Sequence, residues 1–330
     1  MVTILDVAQE AGVSPATVSR AINNSMLVSQ EKKERVIEAV NKLGYKQVRI
    51  TAARKAQQSN IIIFVANTLN ESLIEGARRE AEMLGYTLLV IYIGEAAEGY
   101  RNILEVVKAL PSHLIGGLIF YHNQCEDREI WAELSKYPNV QVGEYLPSSP
   151  LINITVDDFQ AAYDMTSYLI ENGYQRIAFA KSPNNNKQYQ FLEKRYSGYR
   201  SALQNAGIIV DQEYYIKVDH TIEGGADIAR WIMKLGTRPD AVLCTSDQIA
   251  VGCIVELNNQ GIKVPEDIAV CGFDNIELTE ICTPQMTTIA QPFNEMGVEA
   301  VQILDRVISN DLQTSRRVVV PHTLIKRVST

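Results

Sequence analysis

The 330-residue chain has little cysteine: five residues, at 125, 244, 253, 271 and 282, no two of which form a C-x-x-C pair. An odd number of scattered cysteines in a chain this long predicts reduced thiols and excludes a disulfide-framed fold. The four histidines, His113, His122, His220 and His322, show no metal-ligand spacing, so neither a metal nor another cofactor is expected. Long apolar runs are missing as well. Ile61–Ala66 is only six residues, against the roughly 20 that a membrane-spanning helix needs, and no basic-then-apolar leader opens the chain. A cytoplasmic protein without a membrane partner is expected. There is no G-x-S-x-G, no Walker A loop and no G-x-G-x-x-G after a strand, which disfavours an enzyme. A sugar-modifying or exported sugar-binding protein is the alternative to weigh, since a pair of Asp residues could do acid–base chemistry. The closing stretch Val318–Val328 reads as strand, with no trailing heptad of leucines to zip dimers together, so a homodimer is expected.

What is present is an uneven distribution of charge. Residues 1–60 hold nine Lys+Arg against five Asp+Glu, net +4, while the other 270 hold 22 against 34, net −12; together they make the chain's −8. A basic head on an acidic body is an electrostatic footprint for phosphate, presented from one end only. At 46% hydrophobic, the chain can bury large cores, and removing a 60-residue head leaves room for two ordinary domains.

The head reads TILDVAQEAGVSPATVSRAINN from Thr3 to Asn24. Thr3 can cap a helix, Asp6 stands at capping-box spacing, and Ile4, Val7 and Ala8 recur on one face. Gly12 stops that helix. Ser14 is a second N-cap and Pro15 sits at N1, where a missing N–H costs nothing, so a new helix from Pro15 to about Asn23 starts almost at once. So short a connection makes the helices cross steeply, the geometry by which a helix-turn-helix lays its second helix in a DNA major groove. A third helix is capped by Ser29, carries Val36, Ile37, Val40 and Leu43 on one side, and closes at Gly44. Val7, Val18, Val36 and Val40 are the expected core of this three-helix unit.

VSPATVSRAINN and the spacing of the three helices resemble the lactose-repressor (LacI/GalR) family of bacterial transcription regulators. The resemblance implies contact with double-stranded operator DNA through Thr3, Ser14, Pro15, Ala16, Thr17, Ser19, Arg20 and Asn23. Pro15 and Ala16 would face bases, Ser19 the neighbouring phosphate, and Arg20 would read further along. Arg20 can give a bidentate hydrogen bond to guanine O6 and N7, and Ala16 only a methyl contact to thymine. A head of residues 1–45 would be followed by a hinge of 46–59. There the family places Pro and Asn soon after the tyrosine that matches Tyr45, then a leucine that wedges into the minor groove; this chain has Gln47, Val48 and, at the leucine position, Arg54. With Arg49 and Lys55 beside it, Arg54 predicts a hinge that binds by charge and bends DNA little.

From Asn60 onward, short apolar runs alternate with helical stretches. Ile61–Ala66, Thr87–Ile93, Leu114–Tyr121 and Val140–Glu144 read as strands between helices Ser72–Leu84, Tyr100–Leu110 and Asp127–Lys136. A second series follows: helix Phe159–Asn172, strands Arg176–Lys181, Tyr215–Val218, Ala241–Thr245 and Ile268–Phe273, and helices Lys194–Asn205, Glu223–Leu235 and Gln248–Gln260. Such an order makes two lobes, each a doubly wound parallel sheet. The layout is similar to the periplasmic-binding-protein-like α/β core of the same family. So are Asn172–Ala178, Arg195–Tyr199, Ser246-Asp247, Val264–Asp267, Gly272–Asn275 and Thr287–Pro292, at the family's order and spacing. The resemblance implies three crossings between lobes, near Val156, Ile289 and Val318, dividing the core 60–330 into about 60–156 with 290–317 and about 157–289 with 318–330.

Ligands of open α/β sheets bind beyond the carboxyl ends of the strands. Asn67, Tyr121, Asp247 and Asp274 stand there. The two carboxylates are suited to accept hydroxyl protons from a polyol or ribose, and Arg195 to donate from a helix start across the cleft; Asp247 could equally serve as a helix N-cap. The expected partner is a small effector, sugar or nucleoside. GFDNIELTEICTP with Gly143-Glu144-Tyr145 looks closest to the cytidine-repressor subgroup, although Leu69 and Asn70 replace the paired aromatics the family places after its first strand.

Overall fold

The computed structural model describes residues 4–14, 17–18, 30–43, 60–93, 98–122, 125, 127–143, 151–182, 190–309 and 317–330. The chain divides into two compact units, 1–58 and 59–330.

In the first unit, α1 (Ile4–Ala11) ends at Gly12, whose φ of +60° lies in the left-handed region that glycine enters without a Cβ penalty. Arg35, on α2 (Gln30–Leu43), donates to the carbonyls of Ala11 and Gly12, so a cation from another helix satisfies acceptors that the end of α1 leaves open. Ser14 Oγ accepts the Thr17 N–H at 3.1 Å, the expected N-cap contact. Val7, Ala8, Ala11, Val18, Val36 and Ala39 form the buried core, with Val13, Val40 and Leu43 packed against it. Ile37 is 54% exposed: Val36, Val40 and Leu43 repeat at helical intervals, and a residue one step on points about 100° away from them. Thr3, Pro15, Ala16, Ser19, Arg20, Asn23, Ser29, Gly44 and the hinge, with Arg49 and Arg54, lie outside the described residues.

The second unit runs β1 (Ile61–Ala66), α3 (Glu71–Met83), β2 (Thr87–Tyr92), α4 (Glu98–Ala109), β3 (Ile115–Tyr121), α5 (Arg128–Leu134), β4 (Asn139–Val142), β5 (Ile152–Thr155), α6 (Asp158–Glu171), β6 (Ile177–Lys181), α7 (Gln190–Asn205), β7 (Tyr215–Lys217), α8 (Ile222–Ile232), β8 (Ala241–Cys244), α9 (Asp247–Asn259), β9 (Ala269–Asp274), α10 (Leu278–Ile281), β10 (Thr287–Ala290), α11 (Phe293–Ile308), β11 (Arg317–Val319) and β12 (Thr323–Ile325). One sheet has the order β11-β5-β4-β3-β1-β2, the other β12-β10-β9-β8-β6-β7. All described pairings are parallel except β10 with β12. β1 and β3 are apolar along their length because helices cover both faces; all seven residues of β3 are buried.

The chain leaves the first sheet after β5 and re-enters its core with α11, whose Met296, Ala300, Val301 and Leu304 pack with Ile62, Phe64 and Val140. The last crossing differs from expectation. Val318 pairs with Ile154 and packs, with Val320, on the first lobe's core, so β11 extends the first sheet and the crossing follows Val320. Pro321 has no N–H for a ladder, and the run Val318–Val328 therefore splits into two strands of different sheets.

Candidate functional site

Both sheets share the core order 2-1-3-4-5: β2-β1-β3-β4-β5 in one and β7-β6-β8-β9-β10 in the other. The connections diverge where β1 lies beside β3 and where β6 lies beside β8, which opens a crevice at those carboxyl ends. Asn67, Tyr121 and His122 stand at the first switch point; Lys181, Ser182 and Thr245 stand at the second.

The expected residues gather at these mouths, in roles that differ from one another. Asn67 is buried, and its Nδ2 donates to the His122 carbonyl at 2.9 Å while Oδ1 accepts from Tyr100 Oη at 3.4 Å; its amide ties β1 to β3. Tyr121 is buried, and burial followed by the negative field of Asp274 pushes its hydroxyl above the ordinary range. Its ring lies 4.3 Å from that of His122, which in turn lies 5.6 Å from Phe191 of the other lobe. Gly143, at φ +90°, lies under the imidazole: a Cβ there would stand 2.8 Å from His122 Cε1. Burial, then the fields of Arg195 and His220, lower the His122 pKa to about 4, so the ring is neutral near pH 7.

Arg195 is not at a helix start. It lies in the second turn of α7 and is 5% exposed, with Nε donating to Asp158 Oδ1 at 2.9 Å and Nη1 to the Thr245 carbonyl at 2.7 Å. Its guanidinium carbon stands 3.4 Å over the Phe273 ring and 4.9 Å from that of Phe191, a stacked geometry that suits a planar cation. Nη2 carries no hydrogen bond from the described residues. Burial raises the Asp158 carboxyl, and the Arg195 attraction opposes that rise.

Asp274 ends β9 at φ +117°, followed by Asn275 at +59°. Its Oδ1 accepts from Gln291 Nε2 at 2.6 Å. Burial holds its pKa above the ordinary carboxylate range, with Arg195 and Gln291 pulling the other way. Asp247 does not meet the ligand expectation. It is fully buried, Oδ2 accepts the Ile276 N–H at 2.9 Å and Oδ1 accepts Thr288 Oγ1–H at 2.6 Å, so both oxygens are spent on protein. Nor is it the N-cap: Ser246 holds that position, accepting the Ile249 N–H at 3.4 Å, and Asp247 is the first helical residue.

His122, Asp158, Phe191, Phe273 and Gln291 join the expected residues at the site. His122 and Gln291 had local signals, one following a strand end and the other within the Thr287–Pro292 motif. Asp158 had none, because its partner is 37 residues away.

Residues 3–47 match the family described as bacterial regulatory proteins, lacI family, and residues 166–330 match the periplasmic binding protein-like domain. The chain is 34% identical over 307 residues, 92% of its length and 88% of the relative's, to the HTH-type transcriptional repressor CytR of Escherichia coli (strain K12). The chain belongs to the lacI family. As a lacI-family protein it is a DNA-binding transcriptional regulator, with its helix-turn-helix head in residues 3–47. It is similar over 100% of both chains to the transcriptional regulator CelR in its cellobiose complex (TM-score 0.74, 26% identity). It also shares the fold of the lac repressor dimer bound to operator and an anti-inducer (TM-score 0.72, 24% identity, 99% and 98% covered). Among the described residues no helix is long and apolar enough to cross a membrane.

Proposed function

We propose that this lacI-family regulator is a cytoplasmic homodimer. Its affinity for a near-palindromic operator is set by a small polyhydroxylated effector, sugar or nucleoside, held between the carboxyl ends of β1, β3, β6, β8 and β9. In this reading residues 1–45 are the reading head, 46–59 the hinge and 60–330 the effector core. The observation that carries the reading is that the Asp274 carboxylate ends β9 directly after Phe273, over whose ring the Arg195 guanidinium lies at 3.4 Å, with Tyr121 and His122 at the facing strand mouths. Asp274 supplies acceptors for vicinal hydroxyls. Arg195 supplies the Nη2 donors on a plane already fixed by Phe273, Asp158 and Thr245, so little side-chain freedom is lost on binding. Aromatic walls at Phe191, His122 and Tyr121 suit the apolar face of a sugar ring or a base. Ser14, Thr17 and Arg20, with Thr3, Pro15, Ala16, Ser19 and Asn23, serve the operator, and Arg49 and Arg54 the minor groove at its centre.

An effector changes DNA affinity only through unequal affinity for the two lobe arrangements, and the same parts serve an inducer or a co-repressor. A thermal-shift screen of sugars and nucleosides tests the reading, because a ligand bound only by the folded state raises apparent stability. A hit that shifts the wild type and not Asp274→Asn supports the cleft; a hit that shifts both alike overturns it.

A further inference from the structure

The turn that presents Asp274 is held open by a buried residue that cannot itself reach a ligand. Two consecutive non-glycine residues, Asp274 and Asn275, have φ of +117° and +59°. Such backbone persists only where its surroundings over-determine it. The grip comes from below. Asp247 Oδ2 takes the Ile276 N–H, the first amide after the strained pair, while Oδ1 is anchored by Thr288 on the next strand. Gly272 makes room for this seat: a Cβ there would stand 2.2 Å from Asp247 Oδ1. On the other side Asn275 Oδ1 accepts from Arg327 Nη2 at 2.9 Å and from Thr279 Oγ1 at 3.3 Å.

The geometry points to Asp247 as the positioning residue that holds the Asp274–Asn275 turn in its left-handed form and so aims the Asp274 carboxylate at the effector. The inference rests on the reading that Asp274 meets the effector. Its requirement is for an acceptor facing the Ile276 amide. Asparagine meets that requirement: its Oδ1 can take the Ile276 N–H and its Nδ2 can donate to Thr288 Oγ1, whose proton turns to the Ile289 carbonyl 3.4 Å away. Alanine does not meet it.

The test uses the full chain and compares the wild type with Asp247→Asn, Asp247→Ala and Gly272→Ala. Amide hydrogen exchange is read on a peptide spanning 272–281, and calorimetry is run with cytidine and, in parallel, cellobiose as probes. In Asp247→Ala the peptide should exchange at least tenfold faster while other core peptides keep their rates, and the affinity for a bound probe should fall at least tenfold. Asp247→Asn should stay within about threefold of wild type on both readouts. Gly272→Ala, which displaces the carboxylate without removing it, should change both in the direction of the alanine variant, and it serves if Asp247→Ala does not fold. Unchanged exchange in the alanine and Gly272 variants would overturn the assignment, as would faster exchange with undiminished probe affinity. If the wild type binds neither probe, the effector reading of the cleft falls for those ligand classes, and the exchange comparison alone upholds or overturns the role of Asp247.

Discussion

His122 gives the core an acid-labile contribution to stability whose size and sign follow from the structure. Its imidazole is held at a pKa of about 4 by burial and by the fields of Arg195 and His220, against 6.5 for the free side chain. Between those values the unfolded chain takes up a proton that the folded chain refuses. The stability is therefore complete above pH 6.5 and is lost as pH falls toward 4. Each pH unit in the interval is worth up to about 1.4 kcal/mol, so the whole effect has a ceiling of about 3.5 kcal/mol. His122→Asn removes the titration yet tolerates the native φ of +53°, since asparagine enters the left-handed region more readily than most residues. The lost contacts with Tyr121 and Phe191 lower stability at every pH alike. Urea denaturation from pH 7.5 to 4.5 reads the difference between the two proteins, in which the common carboxylate titrations cancel. Relative to His122→Asn, the wild type should lose up to about 3 kcal/mol of stability across that range. Parallel pH profiles would refute the reasoning and return His122 to an ordinary, solvated titration.

Other expectations are equally open to measurement. Asp274→Asn should weaken effector binding at least tenfold, with ligand-free operator binding unchanged, because one acceptor edge becomes a donor; equal affinities by calorimetry would contradict it. Gly252→Ala places a Cβ 2.0 Å from the Ile222 carbonyl, where α8 and α9 pack backbone to backbone, and should cost about 1–3 kcal/mol in chemical denaturation. Arg20→Ala should cost about 1–3 kcal/mol on operator and relax preference at one base pair per half-site, while a loss equal on random DNA would mark a phosphate contact. Arg54→Ala should flatten the salt dependence of operator affinity, and circular-permutation gel shifts of the wild type should show little bending; a sharp central kink would exclude a cationic hinge.

The physical signals carried in the sequence are local ones. Binary pattern and caps placed the head core at Val7, Val18 and Val36, the stop at Gly12 and the cap at Ser14, because each depends on residues within a turn or two of itself. Strand and helix alternation fixed two parallel sheets, since only a strand covered on both faces reads as apolar as Ile61–Ala66. The position of Asp274 at a strand mouth was legible for the same reason.

Only the tertiary structure decided which carboxylate spends both oxygens on the protein. Asp247 and Asp274 both follow apolar strands, and no local pattern separates them; their fates diverge because Ile276 and Thr288, 29 and 41 residues away, close over one of them. Arg195 likewise found Asp158 and Thr245 across 37 and 50 residues. The last crossing moved past Val320 because Val318 pairs with Ile154, a contact between sequence-distant strands. Periodicity specifies which face of an element is buried; what that face meets is set by the packing of the whole domain, where hydrogen bonds to both oxygens set Asp247 apart from Asp274, which accepts at Oδ1 from Gln291.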